Sequence, residues 1–338
     1  MVDNIENRKD SFVLRSLDIS NFRNLHNIRS MSFARRINVI SGQNGVGKSN
    51  ILALIASGTG NTKMTNTLGN SFQPEFSQYF MIYPEETVTK DDDPSKRYFV
   101  YAHYSRERDE LTITKRLSLK NNPGSEGRKV QIVPRTVITD EEMTRWKHLG
   151  YSTKTSVIDH LSKNEKLTPA ARLPVPTIYD SIARLYPLGE LNSAKKPTNE
   201  AKIRKLRKTN KVITNDLNKD YASLYNAVLP DSVETASLEN DFGYYVKKEN
   251  TLGEKYTMPI RNTRELSRSV GQDSLGVIIS NLIDFDYLKK TNKSYSGGIL
   301  CIDEADTSLH PAAQKNCLIL SIVFPRNTIS RYLSQRIQ

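Results

Sequence analysis

Residues 42–49 read Gly42-Gln43-Asn44-Gly45-Val46-Gly47-Lys48-Ser49 and fit the pattern G-x-x-x-x-G-K-S. The apolar segment Ile37 to Ile40 comes directly before them and predicts a strand, and the apolar positions among residues 51–55 predict a helix after them. Glycines let backbone N–H groups turn inward around phosphates, and the N-terminus of the helix adds its positive dipole end. Lys48 is expected to reach the β- and γ-phosphates, and the Ser49 hydroxyl is expected to bind Mg²⁺. The pattern therefore predicts a phosphate-binding loop for ATP.

The expected nucleotide contacts cover the whole loop and the residue that follows it. Each of these positions either supplies a backbone N–H group or a side chain to the phosphates, or shapes the turn between strand and helix. The expected nucleotide-binding residues are Gly42, Gln43, Asn44, Gly45, Val46, Gly47, Lys48, Ser49 and Asn50.

Two acidic residues follow a second buried segment near the other end of the chain. Ile299 to Ile302 form a short continuous apolar run, which is typical of a strand buried on both faces. Asp303 comes directly after it and is placed to hold Mg²⁺ together with Ser49. Glu304 is placed to polarise a water molecule towards the γ-phosphate and is the expected catalytic base. Together with the loop, this pair of acids predicts ATP hydrolysis as well as binding.

Composition is that of a soluble protein with a basic surface. The 338 residues are 37% apolar and carry a net charge of +12, and Cys301 and Cys317 are the two cysteines. We find no run of about 18 apolar residues and no secretory signal, and therefore expect a cytoplasmic protein without a membrane span. The basic excess favours a polyanionic partner such as DNA or RNA, although a solvated surface that binds nothing in particular would have the same composition.

The middle of the chain separates the two halves of the expected ATP site. Residues 98–104 and 111–119 predict strands of an antiparallel lobe. Residues 195–230 are rich in Lys and Arg and predict a long polar helix or hairpin arm, which either tracks phosphates or is a solvated helical face. Residues 269–273 predict a polar loop ahead of a helix whose apolar stripe contains Leu275, Ile278, Ile279 and Leu282.

Both ends of the chain resemble a known class of ATPase. Residues 42–50, preceded by Asn21-Phe22-Arg23-Asn24, and the segment Asp303-Glu304-Ala305-Asp306-Thr307-Ser308-Leu309-His310-Pro311 are similar to the ABC-type heads of the RecF, SMC and OLD class. The resemblance implies an α/β P-loop NTPase fold of ABC-head type, with a mainly parallel core sheet, an antiparallel lobe and a helical insertion. It also implies an N-terminal half in residues 1–85, an inserted lobe and helical arm in residues 86–264, and a second half in residues 265–314.

The same resemblance implies how such heads associate. Two heads sandwich two ATP molecules, so we expect a homodimer or a higher oligomer. Ser269, Gly271 and Gln272 are similar to the signature loop that each head offers to the ATP of the other. A glutamine between the lobes is expected to sense Mg²⁺ and water, and both Gln73 and Gln78 are candidates, of which Gln78 is favoured because Gln73 precedes a proline.

Looser similarities suggest a biological setting. Residues 183–190 and Phe76-Ser77 resemble ATPases of bacterial phage-defence loci, including Septu-like ones. We therefore expect ATP hydrolysis coupled to head dimerisation in anti-phage defence or DNA maintenance. The alternative is an ATP-dependent scaffold that clamps a partner nuclease with little turnover. An intrinsic nuclease has no support in these residues.

The last part of the sequence departs from the class. The resemblance implies a strand that ends in a histidine about thirty residues after Glu304, yet none of the five histidines follows His310. One extra adenine near Lys315 would allow the reading KKLFDFIYSFSKKYNIKIFITTHS, a helix and a strand ending in Thr-Thr-His-Ser. We therefore expect residues 315–338 to be an out-of-frame tail of a C-terminally truncated chain. Such a tail is expected to pack irregularly, to leave the core sheet one strand short and to slow ATP hydrolysis; sequencing the locus decides the frame.

Overall fold

The computed structural model of the chain describes residues 11–67, 69–76, 79–83, 86, 100–121, 130–185, 211–234, 244–247, 254–263, 267–323 and 330–336. In these residues the strands are β1 (Phe12–Phe22), β2 (Leu25–Ser32), β3 (Ile37–Ser41), β4 (Asn61–Thr65), β5 (Ser71–Phe72), β6 (Val100–Arg106), β7 (Thr112–Asn121), β8 (Val130–Val137), β9 (Thr177–Asp180), β10 (Tyr244–Lys247), β11 (Glu254–Thr257), β12 (Gly298–Ile302) and β13 (Ser330–Arg336). The helices are α1 (Lys48–Gly58), α2 (Asp140–His148), α3 (Lys154–Lys163), α4 (Lys211–Val228), α5 (Val270–Thr291) and α6 (Pro311–Val323).

A parallel sheet brings the two halves of the expected site together. Its strand order is β3-β13-β12-β9, and each neighbouring pair is parallel. β12 is buried along its whole length, as the apolar run before Asp303 predicts. Because the strands are parallel, their carboxyl ends lie at one edge of the sheet, which is where ligands bind in open α/β sheets. The loop after β3 and the acids after β12 therefore share that edge.

An antiparallel sheet forms the second layer. Its order is β2-β1-β6-β7-β8, and along β6 and β8 buried residues alternate with half-buried or exposed ones. The alternation follows from the period of two in a strand, which turns one face towards the core. α1 packs between this sheet and β12, and nearly all of its residues from Ile51 onward are buried.

The two sheets cross the boundaries expected from the sequence. β1 and β2, which come before residue 85, lie in the antiparallel sheet with β6, β7 and β8. β9 lies within the expected insertion, yet it is an edge strand of the parallel sheet beside β12. The boundaries at residues 85 and 264 thus describe the order of motifs along the chain. That they separate independent structural units stays a prediction.

A second core surrounds α5. Most of this 22-residue helix is buried, and it packs against α4 and β11. α4 presents Leu217, Tyr221, Leu224 and Tyr225 to that core. The described part of residues 195–230 is therefore an amphipathic helix with one face in this core, while residues 195–210, which contain most of the basic cluster, lie outside the described residues.

The expectation of a sheet that lacks one strand is wrong. α6 continues through Lys315 to Val323, and β13 pairs in parallel with β12 on one side and β3 on the other. No proline or glycine interrupts residues 312–323, so the helix is free to continue, and the backbone ladder of β13 fills the gap between two strands without requiring particular side chains. The reading-frame hypothesis concerns the DNA and stays a prediction.

The expected fold class is confirmed. The chain has an α/β fold with a parallel core sheet, an antiparallel lobe and helices inserted between the two motif-bearing halves. In the part of the chain that the structure describes, no helix combines the length and apolar content needed to span a bilayer.

Candidate active site

The phosphate-binding loop connects β3 to α1 and encloses the side chain of Lys48. The Lys48 ammonium donates hydrogen bonds to the carbonyl oxygens of Gly42 (2.8 Å) and Gln43 (2.9 Å), and the residue is only 4% exposed. A buried ammonium group needs such partners, because leaving it without them would cost its full solvation energy. The loop therefore holds its cation at the mouth of the turn, where phosphate oxygens can replace the two carbonyls.

Gly47 is required by both conformation and space. Its φ is 98°, in the region that glycine adopts without strain, and it caps the N-terminus of α1. A Cβ at this position would lie 2.8 Å from Cδ2 of Leu25, which is itself buried. Gly45 also has a positive φ, 83°, but no atom lies within 4 Å of the position its Cβ would take. The two glycines thus serve the same turn under different packing constraints.

Ser49 and Asp303 join the two motifs. The Ser49 hydroxyl donates to Oδ1 of Asp303 at 3.1 Å, although 254 positions separate the two residues in sequence. A hydroxyl and a carboxylate at this spacing are oxygen ligands of the kind Mg²⁺ prefers, so Ser49 and Asp303 would hold a magnesium ion beside a bound nucleotide. The expected metal ligands Ser49 and Asp303 are therefore brought together.

Tyr179 supports the aspartate from β9. Its hydroxyl donates to the second carboxylate oxygen of Asp303 at 3.2 Å, and Tyr79 donates to the Tyr179 carbonyl oxygen at 3.1 Å. Burial raises the pKa of Asp303 above its usual value, and the hydrogen bonds from Ser49 and Tyr179 oppose that rise. Tyr179 could not be predicted from the sequence, because it lies 124 residues before Asp303 and outside the two motifs.

Glu304 begins the turn after β12 in a left-handed backbone conformation. Its φ is 54°, and one of its carboxylate oxygens accepts a hydrogen bond of 2.7 Å from the Thr307 hydroxyl. The residue is half-buried at the edge of the parallel sheet. The structure places the expected base immediately beside the expected metal ligand Asp303, at the edge that carries the loop.

The turn between β1 and β2 braces the loop from the other side. The Asn24 amide donates to the Gly45 carbonyl oxygen at 3.1 Å. Arg23 donates to the side-chain oxygen of Asn50 at 3.1 Å and pairs with Glu86 at 2.8 Å. Asn50 is thus occupied by Arg23, in the first turn of α1. The stretch Asn21-Phe22-Arg23-Asn24, on which the resemblance to ABC-type heads partly rests, thus supplies the two side chains that contact the loop and the first turn of α1.

The three signature residues lie at the N-terminus of α5. Ser269 is the N-cap: its hydroxyl accepts from the Gln272 N–H at 3.2 Å, and its own N–H donates to the Gln272 side chain at 3.0 Å. Residues 270–273 are therefore the first turn of the helix rather than the expected polar loop, because this reciprocal capping lets the helix begin at Val270. Gly271 approaches the turn after Glu304, since a Cβ on it would lie 2.6 Å from the Ser308 carbonyl oxygen.

The glutamine assignment is not resolved by geometry. Gln78 lies outside the described residues, as does Ser77. Gln73, the alternative, donates to a carboxylate oxygen of Glu75 at 3.2 Å and lies against Gly60. Gln78 as the sensor stays a prediction.

Comparison with known proteins decides the family. The family described as AAA domain matches residues 16–255, which is more than half of the chain and includes the phosphate-binding loop. The chain belongs to this AAA domain family. The matched range contains the loop of residues 42–49 with the buried Lys48, and it ends before Asp303.

Two solved structures resemble this AAA domain chain. One is a RecF–ATP structure of the recombination mediator protein, with 15% identity and a TM-score of 0.43 over 97% of this chain and 93% of that one. The other is an Smc head domain with an extended coiled coil, bound to the C-terminal domain of ScpA and derived from Pyrococcus furiosus. It has 12% identity and a TM-score of 0.48 over 97% of this chain and 90% of that one. No curated protein sequence matches the chain.

Proposed function

We propose that this chain binds ATP with Mg²⁺ and hydrolyses it, as an ABC-type head of the RecF, SMC and OLD class. The observation that carries the proposal is the 3.1 Å hydrogen bond between Ser49 and Asp303, which unites a complete phosphate-binding loop with an acidic pair at one edge of a parallel sheet. A loop alone would support nucleotide binding, whereas Glu304 beside it supplies a base for hydrolysis.

Each residue then has a defined task. Lys48 exchanges the carbonyls of Gly42 and Gln43 for β- and γ-phosphate oxygens. Its ammonium group therefore already lies inside the loop when the nucleotide binds. Ser49 and Asp303 would hold Mg²⁺, which neutralises charge on the phosphates when bound. Glu304 orients a water molecule and accepts its proton as the water attacks the γ-phosphate.

Dimerisation of the heads completes the site in this proposal. Ser269, Gly271 and Gln272 would contact the ATP held by the partner copy, where the N-terminus of α5 places its positive dipole end against the γ-phosphate. The exposure of Ser269, and the ordered cap that fixes it, support this role. The expected assembly is a homodimer or a higher oligomer that forms through ATP-sandwiched heads.

The setting we propose is anti-phage defence or DNA maintenance in the cytoplasm. The net charge of +12 and the lysines and arginines of residues 195–211 favour DNA as a partner. Reversing several of these charges should weaken DNA binding and flatten its dependence on salt. An unchanged salt slope would return the segment to a solvated surface. The steady-state rate of hydrolysis separates this role from that of a scaffold that clamps a partner nuclease.

Trapping of the ATP-bound dimer tests the proposal. Glu304→Gln retains the shape of the side chain but removes the base, so ATP should persist in the site and a dimer should accumulate. Sedimentation velocity with and without ATP measures the change, and Glu141→Gln, an exposed glutamate on α2, is the matched control. ATP that fails to shift Glu304→Gln towards a dimer more than it shifts the control would contradict the dimerising head.

A further inference from the structure

Arg184 belongs to neither the phosphate-binding loop nor the acidic pair, yet it forms hydrogen bonds to the backbone of that pair. The residue belongs to a 3-10 turn after β9 and is fully buried. Its guanidinium donates to the carbonyl oxygens of both Asp303 and Glu304. It also donates to the Ser274 hydroxyl on α5 and to the Ser181 carbonyl oxygen, both at 3.2 Å. One side chain thus connects β9, the acidic pair and the helix that begins with the signature residues.

The contact with the acidic pair fixes the backbone from which the catalytic carboxylate projects. Two consecutive carbonyls held by one planar guanidinium fix the orientation of the two peptide units on either side of the Glu304 Cα. Glu304 has a φ of 54°, a conformation that a non-glycine residue adopts only when its surroundings hold it there. The carboxylate of Asp180 lies 4.0 Å from the guanidinium and balances its charge in the interior.

The contact with α5 joins this backbone to the signature. Ser274 lies in the second turn of the helix whose N-cap is Ser269. A second contact runs in parallel, because Gly271 packs against the Ser308 carbonyl oxygen in the turn after Glu304. A shift of the N-terminus of α5 would therefore pass to the acidic turn through packed and hydrogen-bonded neighbours, which do not deform continuously.

We propose that Arg184 is a positioning residue that couples the signature end of α5 to Glu304 of the same chain. The inference rests on the proposed function, in which Ser269, Gly271 and Gln272 contact the ATP of the partner copy. Engagement of the signature with the partner's ATP then aligns the chain's own Glu304, so that the two sites of a dimer hydrolyse ATP cooperatively. Arg184 touches no reacting atom in this role and acts through the backbone of the acidic pair.

Ser274→Ala tests the coupling through Arg184, because it removes the hydrogen bond from Arg184 to α5 while Arg184 stays bound to the two carbonyls and Gly271 stays packed against Ser308. Ser280→Ala, which truncates another buried serine of α5, is the matched control. The measurements are ATP hydrolysis as a function of ATP concentration and the affinity for ADP. For Ser274→Ala the Hill coefficient should fall towards one and kcat should fall about 2- to 30-fold, with ADP affinity unchanged. Ser280→Ala should keep the Hill coefficient of the parent.

Arg184→Lys provides a second arm. Lysine retains the charge but has no planar fork to bridge two carbonyls and a hydroxyl, so the Hill coefficient should fall as in Ser274→Ala. Adding Ser274→Ala to Arg184→Lys should then have little further effect, since both substitutions break one connection. If Arg184→Lys does not fold, as judged by thermal melting, the serine pair decides the matter alone.

The outcomes separate this inference from the proposed function. A parent protein that hydrolyses ATP with a Hill coefficient of one, or a Ser274→Ala variant that matches Ser280→Ala, would overturn the coupling while ATP hydrolysis stands. A parent protein that hydrolyses no more ATP than Lys48→Ala would instead overturn the proposed function, and the coupling with it.

Discussion

At the scale of single residues, two glycines of the phosphate-binding loop allow a matched test of the turn. Gly47→Ala would force alanine to adopt a φ of 98° and would push its Cβ against buried Leu25. We therefore expect a loss of about 2–5 kcal/mol in the free energy of unfolding. Gly45→Ala meets only the conformational cost, about 1–2 kcal/mol, because the space beside it is open. Denaturant unfolding measures both. Equal losses would show that Leu25 does not constrain the loop.

The acidic pair illustrates what single residues conceal in a sequence. Asp303 and Glu304 could be predicted because they follow a buried apolar strand directly and because the loop motif demands an acidic partner. Tyr179 and Arg184 could not, since their partners lie about 120 positions away, and the resemblance of residues 183–190 assigned Arg184 no role in the site. Contacts of that kind depend on the pairing of β9 with β12, which could not be predicted from the sequence.

At the scale of elements, the antiparallel sheet contains a buried lysine. Lys115 on β7 is 1% exposed and donates to the Thr136 hydroxyl (2.8 Å) and the Ala171 carbonyl oxygen (2.7 Å). Burial lowers the pKa of Lys115 to about 8 from 10.5. Between these two values the unfolded chain binds more protons than the folded one, so this group makes stability rise with pH across that window.

A comparison with Lys115→Met measures this effect. From pH 7 to pH 9.5 the free energy of unfolding of the parent protein should increase by about 2 kcal/mol relative to the variant, because the variant has no proton to release. Chemical unfolding at several pH values provides the measurement. Parallel curves for the two proteins would mean that the ammonium is well solvated by its two partners.

Two substitutions of Ser269 distinguish its role as the N-cap of α5 from its proposed contact with the partner's ATP. Asparagine caps helices about as well as serine, so Ser269→Asn should change the free energy of unfolding by less than about 0.5 kcal/mol, whereas Ser269→Ala should cost about 1 kcal/mol. Both variants should hydrolyse ATP more slowly, since neither presents the serine hydroxyl to the partner's nucleotide. A Ser269→Asn variant with parental hydrolysis would reduce Ser269 to a capping residue.

At the scale of the whole molecule, the class of fold was predictable and the membership of its sheets was not. The parallel order β3-β13-β12-β9 places the two motifs at one edge, as a loop and an acidic strand require. β1 and β2 join the antiparallel sheet, although their sequences lie next to the loop. β13 occupies the place between β3 and β12, although its sequence gives no strand signal of the expected kind. Strands pair through hydrogen bonds between backbone groups, so the side chains give little information about which strands are neighbours.

The central claim is that residues 42–49 and the pair Asp303–Glu304 form one site that binds and hydrolyses ATP. Single-turnover hydrolysis of radiolabelled ATP, measured together with ATP affinity, tests it even where turnover is slow. Lys48→Ala should lose affinity and hydrolysis together, and Lys63→Ala, an exposed lysine, should lose neither. Glu304→Gln should retain affinity and hydrolyse ATP at least about 100-fold more slowly. Parental hydrolysis by Glu304→Gln, or parental affinity in Lys48→Ala, would contradict the account.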